Sequence, residues 1–222
     1  MIIPAFNEEE SIVNTVDSLK GIASVVDYVV IDDGSTDRTG VLCEEQGFPV
    51  IHLPLNLGLA GGFQTGMKYA LQEGYQAALQ FDADGQHIPD FIQPMIDAMQ
   101  ETNADIVIGS RFTEKRKRVS ARMMGSSLIS GLIKLTTGKS IKDPTSGMRL
   151  YNKEMIELFA NKQDIEPEPD TLAYCIRKGA NIIEVPVEMQ ERLAGESYFN
   201  ASQTVSYMLR ICVSILILQW FR

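Results

Sequence analysis

The sequence predicts an α/β protein: an open, mostly parallel sheet with helices on both faces. Three observations carry this. Short apolar runs of strand length alternate with segments of helical periodicity through the first half of the chain. The run Tyr28-Val29-Val30-Ile31 is apolar throughout, as a strand covered on both faces requires. Polar loops follow the strands at their carboxyl ends, the edge at which such sheets bind ligands.

The elements follow in order. Residues 1–6 form the first strand. Asn7 then reads as a helix N-cap, with Glu10 three positions on in a capping-box pattern, and Ile12, Val13, Val16 and Leu19 mark the buried helical face. The second strand ends in Asp32-Asp33-Gly34-Ser35-Thr36-Asp37, and a helix runs to about Gln46. Residues 50–53 are a third strand. Asn56-Leu57-Gly58-Leu59-Ala60-Gly61-Gly62 leads into a helix to about Gln72. Residues 77–81 are a short buried strand, bounded upstream by Gly74, followed by a helix from near Pro89 to Glu101 and a strand at 106–108. In the second half, residues 123–135 form an apolar helix, 143–149 a turn and 152–159 a short helix. Glu166-Pro167-Glu168-Pro169-Asp170 is a proline-stiffened entry to a helix through Arg177 that stops at Gly179, and residues 182–187 are a late strand.

Composition sets limits. At 222 residues, 45% of them hydrophobic, the chain can bury a large core as one large domain or as one domain with an appendage. A net charge of −9 argues against a nucleic-acid partner. Cys43, Cys175 and Cys212 show no metal-ligand spacing and no disulfide framework, which fits a reduced compartment. The opening residues enter a strand with no basic leader, so no signal peptide is read.

The chemistry centres on Phe81-Asp82-Ala83-Asp84-Gly85-Gln86-His87. In extended backbone, positions i and i+2 point the same way, which aims Asp82, Asp84 and Gln86 at one point. Two carboxylates and an amide oxygen suit Mg²⁺ or Mn²⁺, which keeps open positions for substrate phosphates. An acidic turn capping the next helix is the competing reading, and His87 is either a further ligand or a neighbour. Asn7, Asp32, Asp33, Asn56, Asp82 and Asp84 all fall on the carboxyl edge, and their convergence favours a site.

Two later stretches bear on partners. The cluster Lys115-Arg116-Lys117-Arg118, with Arg111 and Arg122 on either side, is either a solvated loop or a grip for an anionic ligand or lipid headgroup. From about Ser202 to Arg222 one stretch is strongly apolar, with Gln203, Ser206, Arg210 and Ser214 on one narrow helical stripe. Its apolar part falls short of the roughly 20 residues of a bilayer span. It reads as a core helix, a membrane-interface helix or a contact for a second subunit. The division is a catalytic domain at 1–201 and this helix at 202–222.

Several motifs occur in a fixed order: Ile3-Pro4-Ala5-Phe6-Asn7-Glu8-Glu9, Asp32-Asp33-Gly34-Ser35-Thr36-Asp37, Asn56-x-Gly58 and Asp82-Ala83-Asp84-Gly85-Gln86. Gly109-Ser110-Arg111, Asp143-Pro144-Thr145-Ser146-Gly147 and Arg192-x-x-Gly195-Glu196-Ser197 follow. This set resembles the family 2 glycosyltransferases, and within them the dolichol-phosphate mannose synthase-like branch, up to about residue 200. The resemblance implies a glycosyltransferase A fold and an inverting, Mg²⁺- or Mn²⁺-dependent transfer of a hexose from a UDP- or GDP-sugar. It implies that Pro4, Ala5, Asn7 and Glu8 line the nucleoside pocket, that Asp32 accepts from the base with Asp33 beside it, and that Asn56, Gly58 and Ala83 join the donor site. Asp82 would sit near the sugar and ribose, and Asp84 and Gln86 would hold the metal. Arg111, Arg122, Ser126, Arg192 and Ser197 match positions that grip donor or acceptor phosphates, the acceptor in that branch being a polyprenyl phosphate. Members often carry transmembrane helices after the catalytic domain. Here either a region beyond this chain anchors the enzyme at the cytoplasmic membrane face or the C-terminal helix docks it there.

The acceptor chemistry agrees. A hydroxyl acceptor needs a general base, whereas a phosphate monoester is already anionic and needs cations to hold it. Arginines without an obvious base favour the phosphate. Glu166, Glu168 and Asp170 are the candidate bases, and if one serves, the enzyme extends a cell-surface polysaccharide instead. A nucleotidyltransferase shares the architecture but opens with a glycine-rich, arginine-containing loop, which Pro4-Ala5-Phe6-Asn7 is not.

Overall fold

The computed structural model describes residues 1–22, 26–112, 121–162, 164–190 and 201–221, with the side chains of all but 121, 122, 124, 201–205 and 219 among them. Seven strands form one sheet in the order β3-β2-β1-β4-β6-β5-β7. They are β1 (Ile2–Ala5), β2 (Val29–Asp32), β3 (Val50–His52), β4 (Ala77–Gln80), β5 (Ile106–Ser110), β6 (Arg149–Asn152) and β7 (Ile182–Pro186). The helices are α1 (Ile12–Ser18), α2 (Thr39–Glu45), α3 (Gly58–Gln72), α4 (Ile92–Thr102), α5 (Ala121–Thr137), α6 (Lys153–Asn161), α7 (Pro169–Arg177) and α8 (Ala201–Leu216).

Both faces of the sheet are covered, and the strands show it residue by residue. Ile2, Ile31, Ile106 and Ile108 enter one apolar cluster, while Ile3, Val30 and Val107 enter the other. That is the period-two alternation of a strand packed on both sides. The pairings among these seven strands are parallel except those of β6, which lies antiparallel between β4 and β5 with Leu150 opposite Leu79 on one side and Val107 on the other.

Strand β6 corrects the reading of 143–149 as a turn passing directly into a helix. Four residues beginning with arginine and ending with asparagine carry no strand pattern, and tertiary pairing overrides local preference. Asn152 is the N-cap of α6, its side chain accepting from Met155 N at 3.0 Å. The capping-box reading of Asn7 is also corrected. Helix α1 starts at Ile12 after Ser11, and Asn7 stands in the left-handed region at φ 54°, a conformation that asparagine tolerates better than most residues.

The chain winds from β1 outward through β2 to β3, then returns across to β4 on β1's other side. The carboxyl ends of β1 and β4 therefore flank a topological switch point, where open sheets leave a crevice.

Candidate active site

That crevice holds a cavity of about 670 Å³, within the range that takes a nucleotide-sized ligand. Its walls include Pro4 and Ala5 at the end of β1 and Glu8 beyond it, Asp33 after β2, Asn56 just before α3 and Gly58 at its first position, and Asp82, Ala83 and Asp84 after β4. Nine residues proposed for donor, sugar or metal contacts thus share one cavity. The others lie elsewhere. Asn7, Asp32, Gln86, Arg111 and Ser126 are not among the residues lining it. Arg192, Ser197 and the basic cluster at 115–118 lie outside the described residues, as does the side chain of Arg122.

The first two loops are latched to each other. Asn7 Oδ1 accepts from Thr36 N at 2.8 Å, Glu8 N donates to Thr39 Oγ1 at 2.8 Å, and Glu9 N donates to Asp37 Oδ2 at 3.1 Å. Asp37 of the Asp-Asp-Gly-Ser-Thr-Asp motif and Thr39 just beyond it therefore build the scaffold, while Asp33 faces the cavity. Asp32 Oδ1 accepts from Ser35 N at 3.1 Å, and its Oδ2 lies 2.9 Å from His52 Nδ1. Asp33 Oδ1 accepts from Leu57 N at 2.8 Å, which ties the second loop to the start of α3. Burial raises the Asp33 carboxyl pKa, against the pull of backbone hydrogen bonds from Leu57 and Gly58.

The aspartate pair sits on a turn. Strand β4 stops at Gln80, and Gly85 takes φ 75°, so the extended-strand argument for a shared direction is replaced by a fold-back in which both carboxylates reach the cavity. Asp84 is 6% exposed and accepts from Gln86 N at 3.0 Å. Asp82 is held from several sides. Its N–H donates to His87 Nδ1 at 2.9 Å, and Gln80 Nε2 donates to its Oδ1 at 3.4 Å. Because Nδ1 accepts, the neutral ring carries its proton on Nε2, which lies 3.5 Å from Asp82 Oδ2. His87 is thus the neighbour that orients Asp82. Thr15 Oγ1 donates to Ala83 O at 2.9 Å and fixes the same turn from α1. Gln86 Nε2 donates to Gln190 O at 3.4 Å.

Gly147 approaches Asp82 so closely that a Cβ there would lie 2.5 Å from Asp82 Oδ2. Arg149, 2% exposed, donates to Ser146 O at 2.8 Å, Pro167 O at 3.0 Å and Pro144 O at 2.7 Å. It pins the 144–147 loop to the 166–170 segment, and both line the cavity through Thr145, Ser146, Gly147, Pro167, Glu168 and Pro169. Arg111 forms a forked pair with Asp143, at 2.7 and 2.8 Å. Of the three candidate bases only Glu168 lines the cavity. Burial raises its pKa, opposed by a hydrogen bond from Tyr207 and by the charges of Arg149 and Arg210. Asp170 is buried and accepts from Ser214 Oγ at 2.5 Å.

Sequence reasoning missed Gln80, Arg149 and Tyr207 as cavity residues. Among the described residues no group of three His, Cys, Asp or Glu side chains forms a self-sufficient metal cage. Two carboxylates at one cavity fit a hard cation that takes its remaining ligands from a bound phosphate.

Comparison with known proteins agrees with this architecture. The family model described as glycosyl transferase family 2 matches residues 1–159. Polyprenol monophosphomannose synthase of Mycolicibacterium smegmatis is 30% identical, with 95% of this chain and 84% of that protein aligned. Undecaprenyl-phosphate mannosyltransferase of Micrococcus luteus is 32% identical over 88% of this chain and 85% of that protein. Among solved structures, glucosyl-3-phosphoglycerate synthase from Mycobacterium tuberculosis, in complex with Mn²⁺, UDP and phosphoglyceric acid, superposes with a TM-score of 0.68 at 16% identity, covering 98% of this chain and 76% of that one. A seven-stranded sheet with its cavity at the switch point, matched by the family model over most of the chain, has one reading: this chain is a glycosyltransferase of family 2, with the glycosyltransferase A fold, in the dolichol-phosphate mannose synthase-like branch.

Proposed function

We propose that the enzyme transfers a hexose, with inversion, from a UDP- or GDP-sugar to a polyprenyl phosphate, working peripherally at the cytoplasmic face of a membrane. The observation that carries this reading is the joint presence of Asp82 and Asp84 in a cavity whose other walls include residues at the ends of β1 and β2 and at the start of α3. In this reading Pro4, Ala5, Glu8 and Asp33 receive the nucleoside, with Asn56 and Gly58 beside it. Asp82 and Asp84 hold Mg²⁺ or Mn²⁺, with Gln86 joining if its side chain turns inward. The cation supplies charge stabilisation at the departing diphosphate.

The chain's own groups do the rest. His87 and Gln80 keep Asp82 aimed at the cavity. Arg149 keeps the two loops on the far side of the sheet edge at fixed separation. An acceptor phosphate arrives deprotonated, so no proton has to be removed at the attacking oxygen. Its charge is met by arginine, the role assigned to Arg111, Arg122 and Arg192, with Ser126 and Ser197 as hydroxyl donors. Support for the lipid acceptor comes from the two mannosyltransferase relatives, whose names specify polyprenol and undecaprenyl phosphate. Support for membrane seating comes from the outward side chains near the C-terminus. Leu209, Val213, Leu216, Ile217, Leu218, Trp220 and Phe221 are all exposed, although no helix among the described residues is long and apolar enough to cross a membrane. The same surface would serve a contact between two copies of the chain.

One observation favours a second reading. Glu168 lines the cavity and its pKa is raised, which suits a general base for a hydroxyl acceptor on a growing polysaccharide. Radiolabelled transfer from UDP- and GDP-hexoses to a polyprenyl phosphate, with Mn²⁺ or Mg²⁺, decides between them. Lipid-linked product that persists in Glu168→Gln supports the phosphate acceptor. Product only on a glycan, abolished in Glu168→Gln, overturns it.

A further inference from the structure

Among its described side chains, helix α8 reaches the cavity through Tyr207. Its hydroxyl donates to Glu168 Oε2. Burial, followed by the negative charge of Glu168, pushes the phenol pKa well up, so the tyrosine stays a donor throughout the working pH range. The tie is reinforced along the helix. Arg210 Nη1 lies 3.6 Å from Glu166 Oε2 and its Nη2 lies 3.8 Å from Glu168 Oε1, while Ser214 holds Asp170 one turn further on. From the other side Arg149 clamps Pro167 O, the carbonyl immediately before Glu168. The carboxylate of Glu168 is therefore fixed between β6 and α8.

A fixed carboxylate beside a diphosphate site does not attract a phosphate. It accepts hydrogen bonds from hydroxyls, and a hexose presents several whose directions differ between epimers. A site built to pair a particular hydroxyl rejects the isomer that points it elsewhere. We propose that Tyr207 is a positioning residue for sugar selection: it holds Glu168 so that the other carboxylate oxygen receives a hydroxyl of the transferred hexose. This rests on the donor half of the function proposed above and is independent of the acceptor.

Titration calorimetry with UDP, GDP, their hexose conjugates and the C2 and C4 epimers of those hexoses tests it without any acceptor. In the wild type, one hexose binds more tightly than its epimers. Tyr207→Phe reduces that preference about ten-fold and leaves affinity for the bare nucleoside diphosphate unchanged. Glu168→Gln keeps the volume and an oxygen that accepts from Tyr207, and it gives a similar loss. In the double variant the two losses do not add, as expected of groups acting through one contact. A preference unmoved by either substitution overturns the proposal. So does equal weakening of nucleoside diphosphate binding, which marks a general structural role, and so does a wild type that does not discriminate among hexoses. Failure of lipid-linked transfer alone would overturn the acceptor assignment and leave this result standing.

Discussion

Substituting Gly147 with alanine tests the cavity at its tightest point. The new Cβ would lie 2.5 Å from Asp82 Oδ2, 3.3 Å from its Cγ and 3.4 Å from its Oδ1. Ordinary contact begins near 3.4 Å, so the closest oxygen must retreat by roughly 0.9 Å. Gly147 has no positive φ, so alanine is tolerated by the backbone itself. The carboxylate cannot retreat freely, because His87 and Gln80 hold Asp82 from other sides. A misplacement of about 1 Å in a reacting array costs on the order of 10²-fold in rate. Gly147→Ala is therefore expected to lower kcat/KM for the nucleotide sugar by about 10²-fold and to leave Tm within about 3 °C of wild type. Steady-state transfer assays and a thermal melt on the same preparation measure both. Full activity at unchanged Tm would show that Asp82 moves without consequence, and the role given to that carboxylate would be wrong. Activity lost together with a large fall in Tm would show a folding defect and equally refute the local argument.

The remaining predictions concern stability. Arg149→Lys loses the planar fork that satisfies three backbone carbonyls. With two of them left unpaired the expected loss is about 3 kcal/mol, read as a Tm lower by about 6–12 °C; a wild-type melt would refute it. Gly66→Ala places a Cβ 2.2 Å from Ile2 Cγ2 in the core, and overpacking of about 1–3 kcal/mol outweighs a helix-propensity gain of up to about 1 kcal/mol. Gly131→Ala, where a Cβ meets nothing within 4 Å among the described residues, should instead stabilise by up to about 1 kcal/mol, so urea midpoints should move in opposite directions. Burial pushes Cys43 up to about 11 and Cys175 up to about 12. The unfolded chain releases these thiol protons first, so stability is full below about pH 9 and declines as pH rises toward those values. Denaturation at pH 8 and pH 10 checks the sign, and replacing both cysteines with alanine should flatten the dependence.

Much of the fold was legible because burial on both sheet faces leaves continuous apolar runs, as at Val29-Val30-Ile31, and because each helix near the site begins close to its motif. Strand β6 was not, since an arginine in a central strand makes sense only once the carbonyls of Pro144, Ser146 and Pro167 surround it. The site divides in the same way. Asp33, Asn56, Gly58, Asp82 and Asp84 were legible because short polar motifs at strand ends fall on one edge whatever the details of packing. Asn7 was legible as a motif residue and misread as a cap. Local spacing does not reveal that its partner is Thr36, brought near by the pairing of β1 with β2. Gln80 and Tyr207 carry no motif at all. Their relevance comes from which way a side chain turns after the chain has closed.

Helix α8 shows most clearly where hydrophobicity stops being informative. The sequence places Ser206, Arg210 and Ser214 on one narrow polar stripe. In the structure Ser206 is exposed and Ser214 is 3% exposed, joined to Asp170. The reason is electrostatic. The carboxylates at 166–170 need donors, and α8 supplies them from Tyr207, Arg210 and Ser214. Ile211 and Ile215, which flank those donors, are consequently buried against the core. The apolar side chains at 209, 213 and 216 are left facing outward. Burying even three such side chains against lipid or a second copy is worth several kcal/mol at about 1.5–3 kcal/mol each. One helix therefore links an apolar outer surface to a carboxylate inside the cavity. Removing the outer apolarity and removing the Tyr207 hydroxyl are then separable experiments on a single element: the first tests the proposed seating of the outer surface, the second the proposed sugar selection.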